Sequence, residues 1–138
     1  MLAWIVAMLF RTPLSQKVIG AAIRVHRELG PGLFESAYEA CLARELTLHS
    51  VPFERQPELP LKYLGEDVGA CFRADFIVGG VLLVELKSVD RIHPLHGAQV
   101  LTYLRIARLQ QALLINFNVP VLRHGIRSFL NHETIGRV

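Results

Sequence analysis

The chain is poor in the features that commit a small protein to disulfides or to structural zinc. It has only two cysteines in 138 residues, Cys41 and Cys71, and neither lies in the paired spacing of a zinc site. We therefore interpret both as reduced core thiols of a cytoplasmic protein. No helix-turn-helix or zinc module that could read a base sequence is recognisable.

Long hydrophobic runs, internal repeats and low-complexity segments are absent as well. The ten apolar residues 1–10 are too few for a membrane-spanning helix, which needs about 20. They also lack the basic start and the clear cleavage site of a signal peptide. We expect no stable membrane insertion, and we interpret residues 1–11 as an apolar N-terminal extension. It is an extra packed segment, a poorly ordered extension, or a contact between subunits of a homodimer.

The composition is that of a globular domain with buried strands. Apolar residues make up 51% of the chain, which excludes a disordered protein because disorder requires low hydrophobicity. The length predicts one domain, which we place at residues 12–138. The net charge of +3 suits an anionic partner without identifying one.

The order of predicted elements is helix, helix, three strands, helix, strand. Thr12 and Pro13 predict the start of the first helix and Gly30 its end. The second helix is predicted at residues 34–49, with one buried apolar face that comprises Phe34, Ala37, Cys41 and Leu48. Strands are predicted at 53–63, 68–78, 81–89 and 112–116, and a helix at 95–107. Residues 119–124 are a candidate further strand, and 126–130 a helical turn. Because a helix separates strands 81–89 and 112–116, these two should be parallel.

The most informative segment is residues 73–87, in which charged side chains interrupt two apolar strands. Asp75 lies on the first strand, and Glu85 and Lys87 lie on the second. Glu85 and Lys87 share a face because their positions differ by two. Unpaired charge is costly in a dry interior, so these groups are either an ion pair at a strand end or part of a reaction site. Two carboxylates beside an ammonium suit a hard cation and a water that loses a proton.

In a hairpin without a bulge, Asp75 and Glu85 can lie on the same face of the sheet only if the loop between their strands has an odd number of residues. A two-residue turn at Gly79 and Gly80 would put Asp75 and Glu85 on opposite faces. A three-residue loop would pair Val78 with Leu82 and place Asp75 opposite Glu85. We therefore predict an odd-length loop, or a bulge that makes the same correction.

Two helical positions are further candidates, each with an ordinary structural explanation. Gln99 and Tyr103 are four residues apart on one helical face and could be a plain surface pair, with His96 one turn earlier. Glu35 lies in the first turn of a helix, where the helix dipole alone favours an acid. The alternative for Glu35 is a third carboxylate near Asp75 and Glu85.

Taken in order, these residues resemble a known superfamily. Glu35, then Asp75, then Glu85-x-Lys87, then Gln99-x-x-x-Tyr103 is similar to the PD-(D/E)xK nuclease superfamily, in its exonuclease-like branch. Residues 25–38 (VHRELGPGLFESAY) resemble the GxxExxY family of small bacterial and archaeal proteins. The resemblance covers residues 14–130 and has two departures. Ala74 stands where the superfamily usually has proline, and the apolar residues 1–10 lie outside the expected pattern.

The resemblance implies a fold and a metal site. The fold is an α/β fold with a three-layer α/β/α restriction-endonuclease-like core around a mixed sheet, in the order helix-strand-strand-strand-helix-strand, with an extra N-terminal helix. Asp75, Glu85 and the backbone carbonyl of Leu86 would hold Mg²⁺ or Mn²⁺, and Glu35 would support the metal. Lys87 would orient or deprotonate the attacking water.

It also implies a substrate. Gln99 and Tyr103 would orient the site or contact the substrate backbone, while Arg73, Arg91 and Arg105 are candidates for contacts to flanking phosphates. We therefore expect a cytoplasmic, metal-dependent nuclease that cleaves DNA or RNA, with DNA favoured as the partner. Two alternatives stay open: a non-catalytic nucleic-acid- or protein-binding module with the same fold, and an oligomeric accessory protein that associates through residues 1–10.

Overall fold

A computed structural model describes residues 12–131, so the predicted extension at residues 1–11 lies outside the described part of the chain. Helix α1 spans Pro13–Leu29, and the Thr12 side chain caps it by accepting a hydrogen bond from the Ser15 backbone N–H. Gly30 ends it at φ 68°, a left-handed conformation that glycine adopts at little cost. The predicted start and end of this helix are confirmed.

Helix α2 spans Glu35–Leu48, but its predicted apolar face is wrong. Phe34 and Leu48 are 84% and 58% exposed, and the residues that are buried instead are Tyr38, Glu39, Leu42, Ala43 and Leu46. The Tyr38 ring stacks on Phe117, with centroids 4.4 Å apart. Its hydroxyl also donates a hydrogen bond to the Gly30 carbonyl. These contacts fix the rotation of α2, and a count of apolar residues could not reveal them.

The strands form one mixed sheet and one separate hairpin. The five-stranded sheet has the order β1-β4-β5-β6-β7, in which only β5 and β6 are parallel. Helix α3 connects these two strands, so the predicted parallel crossover is confirmed. The bounds are β1 Phe53–Arg55, β4 Phe76–Val78, β5 Leu82–Lys87, α3 Pro94–Ala107, β6 Gln111–Asn116 and β7 Ile126–Leu130.

The hairpin, here called the hairpin arm, consists of β2 (Glu58–Tyr63) and β3 (Glu66–Arg73). It corrects two predictions, because strands 53–63 and 68–78 were each expected to be continuous. The first is broken at Gln56, whose φ is 51°, and at Pro57, which cannot donate to a strand ladder. The second is broken at Ala74 and Asp75. Each predicted strand therefore contributes one half to the sheet and the other half to the arm.

The loop between β4 and β5 has the predicted odd length. Val78 pairs with Leu82, and Phe76 pairs with Val84. Gly79 and Gly80 have φ of 60° and 71°, the conformations that such a loop requires and that glycine supplies.

The C-terminal prediction is wrong. Residues 119–124 form no strand, and a 3₁₀ turn spans Leu122–Gly125. Residues 126–130 are strand β7 rather than a helical turn, because all five of them pair with residues 111–115 of β6. That pairing is non-local, so it leaves little signal in the segment itself.

Two hydrophobic clusters cover the two faces of the sheet. Phe76, Val84 and Leu86 pack toward α1 and α2, whereas Ala74 and Leu83 pack toward α3. The layers are therefore helices, sheet and helix, and the predicted mixed α/β restriction-endonuclease-like architecture is confirmed. Within residues 12–131, no helix is both long and apolar enough to cross a membrane.

Candidate active site

Two hydrogen bonds join the segments that carry Asp75 and Glu85, at the break between the hairpin arm and the sheet. The backbone N–H of Asp75 donates to Glu85 Oε1 at 3.0 Å, and Asp75 Oδ2 accepts from the backbone N–H of Leu86 at 2.7 Å. Each carboxylate thus binds a main-chain group of the other's segment. Because side chains alternate along β5, Glu85 and Lys87 lie on the same side of the sheet as Leu83, the side that α3 covers.

Burial and neighbouring negative charges raise the pKa of both acids. Glu85 is only 6% exposed, and its pKa rises to about 8, first through burial and then through the negative charge of Asp75. The pKa of Asp75 is raised by burial and by the charges of Glu39 and Glu35, while the Leu86 N–H and Lys87 oppose the rise. Burial therefore disfavours the ionised form of both acids, and a cation bound between them would restore it by lowering their pKa values.

The donor set fits a hard cation. Among the described residues, Asp75 Oδ1 and Glu85 Oε2 accept no hydrogen bond, so one oxygen of each carboxylate remains available. No group of three or more histidine, cysteine, aspartate or glutamate side chains within residues 12–131 is arranged to hold a metal. Two carboxylate oxygens would thus have to be completed by a carbonyl, such as that of Leu86, and by water. Such all-oxygen sets are typical of Mg²⁺ and Mn²⁺.

Lys87 lies beside the acids without forming an ion pair. Its charge lowers the pKa of both Asp75 and Glu85, yet within residues 12–131 no carboxylate lies within 4.0 Å of its ammonium. The strand end that carries it is well held: Phe117 donates a backbone hydrogen bond to the Lys87 carbonyl, at 2.9 Å. The ammonium is thus close to the site and free to contact another group.

Glu35 is the first residue of α2 and directly follows the loop between α1 and α2. Ser88, next to Lys87, donates a hydrogen bond from its hydroxyl to the Leu33 carbonyl at 2.6 Å, which ties this loop to the end of β5. The charge of Glu35 contributes to the raised pKa of Asp75 and of Glu85, so the three acids are neighbours. Glu35 is exposed and forms no hydrogen bond with either acid within the described chain.

Gln99 and Tyr103 form a pair on α3 but do not contact the acids. Gln99 Nε2 donates to the Tyr103 hydroxyl at 3.0 Å, and the Tyr103 ring stacks on Phe72 of the hairpin arm at 4.3 Å. Both residues lie on the helix that covers the face of Glu85. The nearby His96 has a structural role, because it accepts a hydrogen bond from the His93 N–H in a capping box.

Sequence reasoning missed Glu39 and Gln56. Glu39 is buried one turn after Glu35, accepts two hydrogen bonds from Gln56 Nε2 and has Arg55 at 3.5 Å. Gln56 in turn donates its backbone N–H to the Asp75 carbonyl at 2.8 Å. Glu39 and Gln56 therefore anchor the segment that carries Asp75. The four-residue spacing from Glu35 was the only available signal.

A comparison with protein-family models identifies the superfamily of the chain. A family model described as the PD-(D/E)XK nuclease superfamily matches residues 12–129. The chain therefore belongs to the PD-(D/E)XK nuclease superfamily. No curated protein and no solved structure matches it at a significant level.

Proposed function

We propose that this protein is a metal-dependent nuclease that hydrolyses phosphodiester bonds of DNA or RNA. The observation that carries the proposal is the interlocked pair of buried carboxylates, Asp75 and Glu85, with Lys87 next on the same strand face. Membership of a nuclease superfamily supports the same reaction class. A fold alone would not, since one fold hosts many functions.

Mg²⁺ or Mn²⁺ would be held by Asp75, Glu85 and the Leu86 carbonyl, with Glu35 in support. When bound, such an ion neutralises phosphate charge and lowers the pKa of a water. The raised pKa of Glu85 and of Asp75 means that their ionised forms are unfavourable in this desolvated site, and a bound cation would favour them by lowering both pKa values. The Lys87 ammonium, which has no carboxylate partner among residues 12–131, would hold the attacking water in line.

Gln99 and Tyr103 would act on the substrate rather than on the metal, since their hydrogen-bonded pair lies on the helix above the site. Tyr103 presents a polar hydroxyl at the end of an aromatic ring packed on Phe72. Such a group suits a sugar or phosphate oxygen. We place the activity in the cytoplasm, with DNA favoured over RNA.

We further propose that the chain belongs to the GxxExxY family within this superfamily. Its three signature positions have physical roles here. Gly32 adopts φ 100°, a conformation that favours glycine. Tyr38 closes the same loop by donating to the Gly30 carbonyl and accepting from the Leu33 N–H. Glu35 lies between them in the sequence, and its charge contributes to the raised pKa of Glu85.

The direct test is a cleavage assay on single- and double-stranded DNA and RNA with Mg²⁺ or Mn²⁺. Asp75→Asn, Glu85→Gln and Lys87→Ala should each reduce cleavage by roughly a hundredfold or more, as expected for groups that stabilise the transition state. Glu66→Gln, on the exposed turn side of the hairpin arm, is the matched control and should retain full activity.

Cleavage that survives in all three site variants would overturn the assignment to this site. Binding of nucleic acid without cleavage by the native protein, under every metal condition, would favour the non-catalytic module instead. The acid pair is the observation against that alternative, because two carboxylates repel a polyanion unless a cation lies between them.

A further inference from the structure

A cleft of about 610 Å³ lies between the hairpin arm and the C-terminal end of α3. Leu59, Pro60 and Lys62 of β2 form one wall, and Arg105 and Arg108 lie on the opposite wall. Its volume is within the range of small-molecule and nucleotide sites, about 300–1,000 Å³. The acid pair does not line it.

Among the described residues, the charged side chains that line this cleft are three cations, and Asp67 of β3, the register partner of Lys62, does not line it. Within residues 12–131 none of the three cations forms an ion pair. The Arg105 guanidinium lies 3.5 Å from the Thr102 hydroxyl. By contrast, Arg73 at the base of the arm is neutralised by Glu58 at 2.8 Å. The cations that line the cleft therefore lack an ion-pair partner within residues 12–131, whereas Arg73 has one in Glu58.

Helix stability explains only part of this arrangement. A cation at the C-terminal end of a helix interacts favourably with its dipole, which accounts for Arg105 in the last turn of α3 and for Arg108 at its C-cap. Lys62 belongs to a different element, the hairpin arm, yet converges on the same cleft. Three like charges held around one cavity repel one another, so a ligand that supplies negative charge is the natural complement.

The cleft also lies on the reactive side of the sheet. Leu59 packs in the same cluster as Ala74 and Leu83, which is the α3 side that Glu85 and Lys87 share. Leu59 pairs with Phe72, three residues before Asp75. Three residues of fully extended chain span at most about 11 Å, so the backbones of Phe72 and Asp75 lie within that distance. It corresponds to at most about three nucleotides of a strand stacked at about 3.4 Å each.

We propose that this cleft binds the phosphodiester backbone of the nucleic acid, a few nucleotides from the bond that the acid pair cleaves. The proposal rests on the proposed function for the identity of the ligand. It adds a backbone-binding site with three named contacts, Lys62, Arg105 and Arg108. Since the contacts are to phosphates, the site should be indifferent to base sequence.

The test compares two triple variants with the same net charge. The cleft variant is Lys62→Gln, Arg105→Gln and Arg108→Gln. The control is Lys17→Gln, Arg27→Gln and Arg44→Gln, three exposed cations on α1 and α2, which pack on the opposite face of the sheet. Binding of fluorescent single-stranded DNA, duplex DNA and single-stranded RNA is measured by anisotropy in EDTA, over a series of salt concentrations, so that cleavage does not interfere.

We expect the cleft variant to lose affinity by roughly tenfold or more at moderate salt. On single strands its log–log salt slope should fall by about 2, because each phosphate contact contributes about 0.7. The control should stay near the native values. Equal losses in both variants would show that only net charge matters and would overturn the proposal, as would an unchanged cleft variant or a native chain that binds none of the probes. The three probes show which strand form the cleft accepts.

A separate cleavage assay distinguishes this proposal from the nuclease assignment. Loss of binding in the cleft variant, with no cleavage by any preparation, would refute the nuclease and leave the cleft standing. Cleavage that depends on Lys87 but is unchanged by the cleft substitutions at low substrate concentration would support the nuclease assignment and refute the proposed role of the cleft.

Discussion

Asp75 and Glu85 are positioned by main-chain groups and therefore do not need a cation to take up their places. Each carboxylate is held by one backbone N–H, at 3.0 and 2.7 Å, and keeps its second oxygen available. Such preorganisation lowers the cost of assembling a site at the moment of binding. The same backbone contacts hold two acids close together in a buried place, which makes the stability of the protein depend on pH.

The first prediction concerns the pH dependence of stability without metal. The pKa of Glu85 rises to about 8 from 4.5, so the folded state holds its proton more tightly than the unfolded state. The associated stability is fully present below pH 4.5 and is lost progressively as the pH rises through about 8. Thermal melts in EDTA should show this loss, and Glu85→Gln should be less sensitive to pH across the same window.

Glu66→Gln, which changes an exposed acid, is the control and should follow the native pH profile. A Glu85→Gln profile as steep as that of the native protein would show that another group causes the dependence.

The second prediction concerns Glu39, which anchors the Asp75 segment through Gln56. Glu39→Ala should lower the free energy of unfolding by about 1–3 kcal/mol, because a buried charged acceptor of two hydrogen bonds is lost. Glu39→Gln retains an acceptor and should cost less. Urea denaturation measures both, with Glu66→Ala as the exposed control. If Glu39→Ala and Glu39→Gln lower the free energy of unfolding equally, the hydrogen bonds to Gln56 do not contribute to stability.

The loop between α1 and α2 connects the helices to the end of strand β5. It leads into Glu35, the first residue of α2; the Tyr38 hydroxyl holds its backbone, and Ser88 ties it to the end of β5. A single side chain, Tyr38, thus links the packing of the core to the position of an acid.

The third prediction is that Tyr38→Phe destabilises the protein by about 1–2 kcal/mol, because the Gly30 carbonyl and the Leu33 N–H both lose a partner. Tyr63→Phe removes a hydroxyl at a site that is 66% exposed and should change stability by less than about 0.5 kcal/mol. Denaturant melts of both variants give the comparison. Indistinguishable stabilities would show that the Tyr38 hydroxyl does not hold the loop.

The local features of these elements were predictable from the sequence, and the non-local ones were not. Thr12, Pro13 and Gly30 predicted the ends of α1, and the paired glycines at 79 and 80 predicted the hairpin register that lets Asp75 meet Glu85. Strand β7 was missed because its pairing with β6 gives it its conformation. The break at Asp75 was missed because the carboxylate that interrupts the strand is bound by Leu86, a residue of the neighbouring strand.

The candidate site was predictable to a similar degree. Asp75, Glu85 and Lys87 follow from strand alternation, and Glu35 follows from a resemblance. Glu39 and Gln56 contact the site only because α2 turns its Tyr38 side inward and because residue 56 adopts φ 51°. Neither feature is visible in a hydrophobic pattern.

At the scale of the whole molecule, the site lies on a sheet that both hydrophobic clusters support. If the proposed cation binds only to the native state, it would stabilise the entire fold. The fourth prediction is that Mn²⁺ at about 100 times its Kd raises the free energy of unfolding by about 2.7 kcal/mol. Asp75→Asn should abolish this gain, as should Glu85→Gln, and thermal melts with and without metal measure it. A gain retained in both variants would place the cation elsewhere.

The hairpin arm has a consequence for the chain's resistance to proteolysis. It is a two-stranded ribbon whose residues are almost all exposed, joined to the body through Leu59 and the Phe72–Tyr103 stack. Isolated two-stranded ribbons are marginal in water. Its amides should exchange with solvent earlier than those of the five-stranded sheet, and a protease should nick it before the body unfolds. A ligand that bridges the arm and α3 would slow both processes.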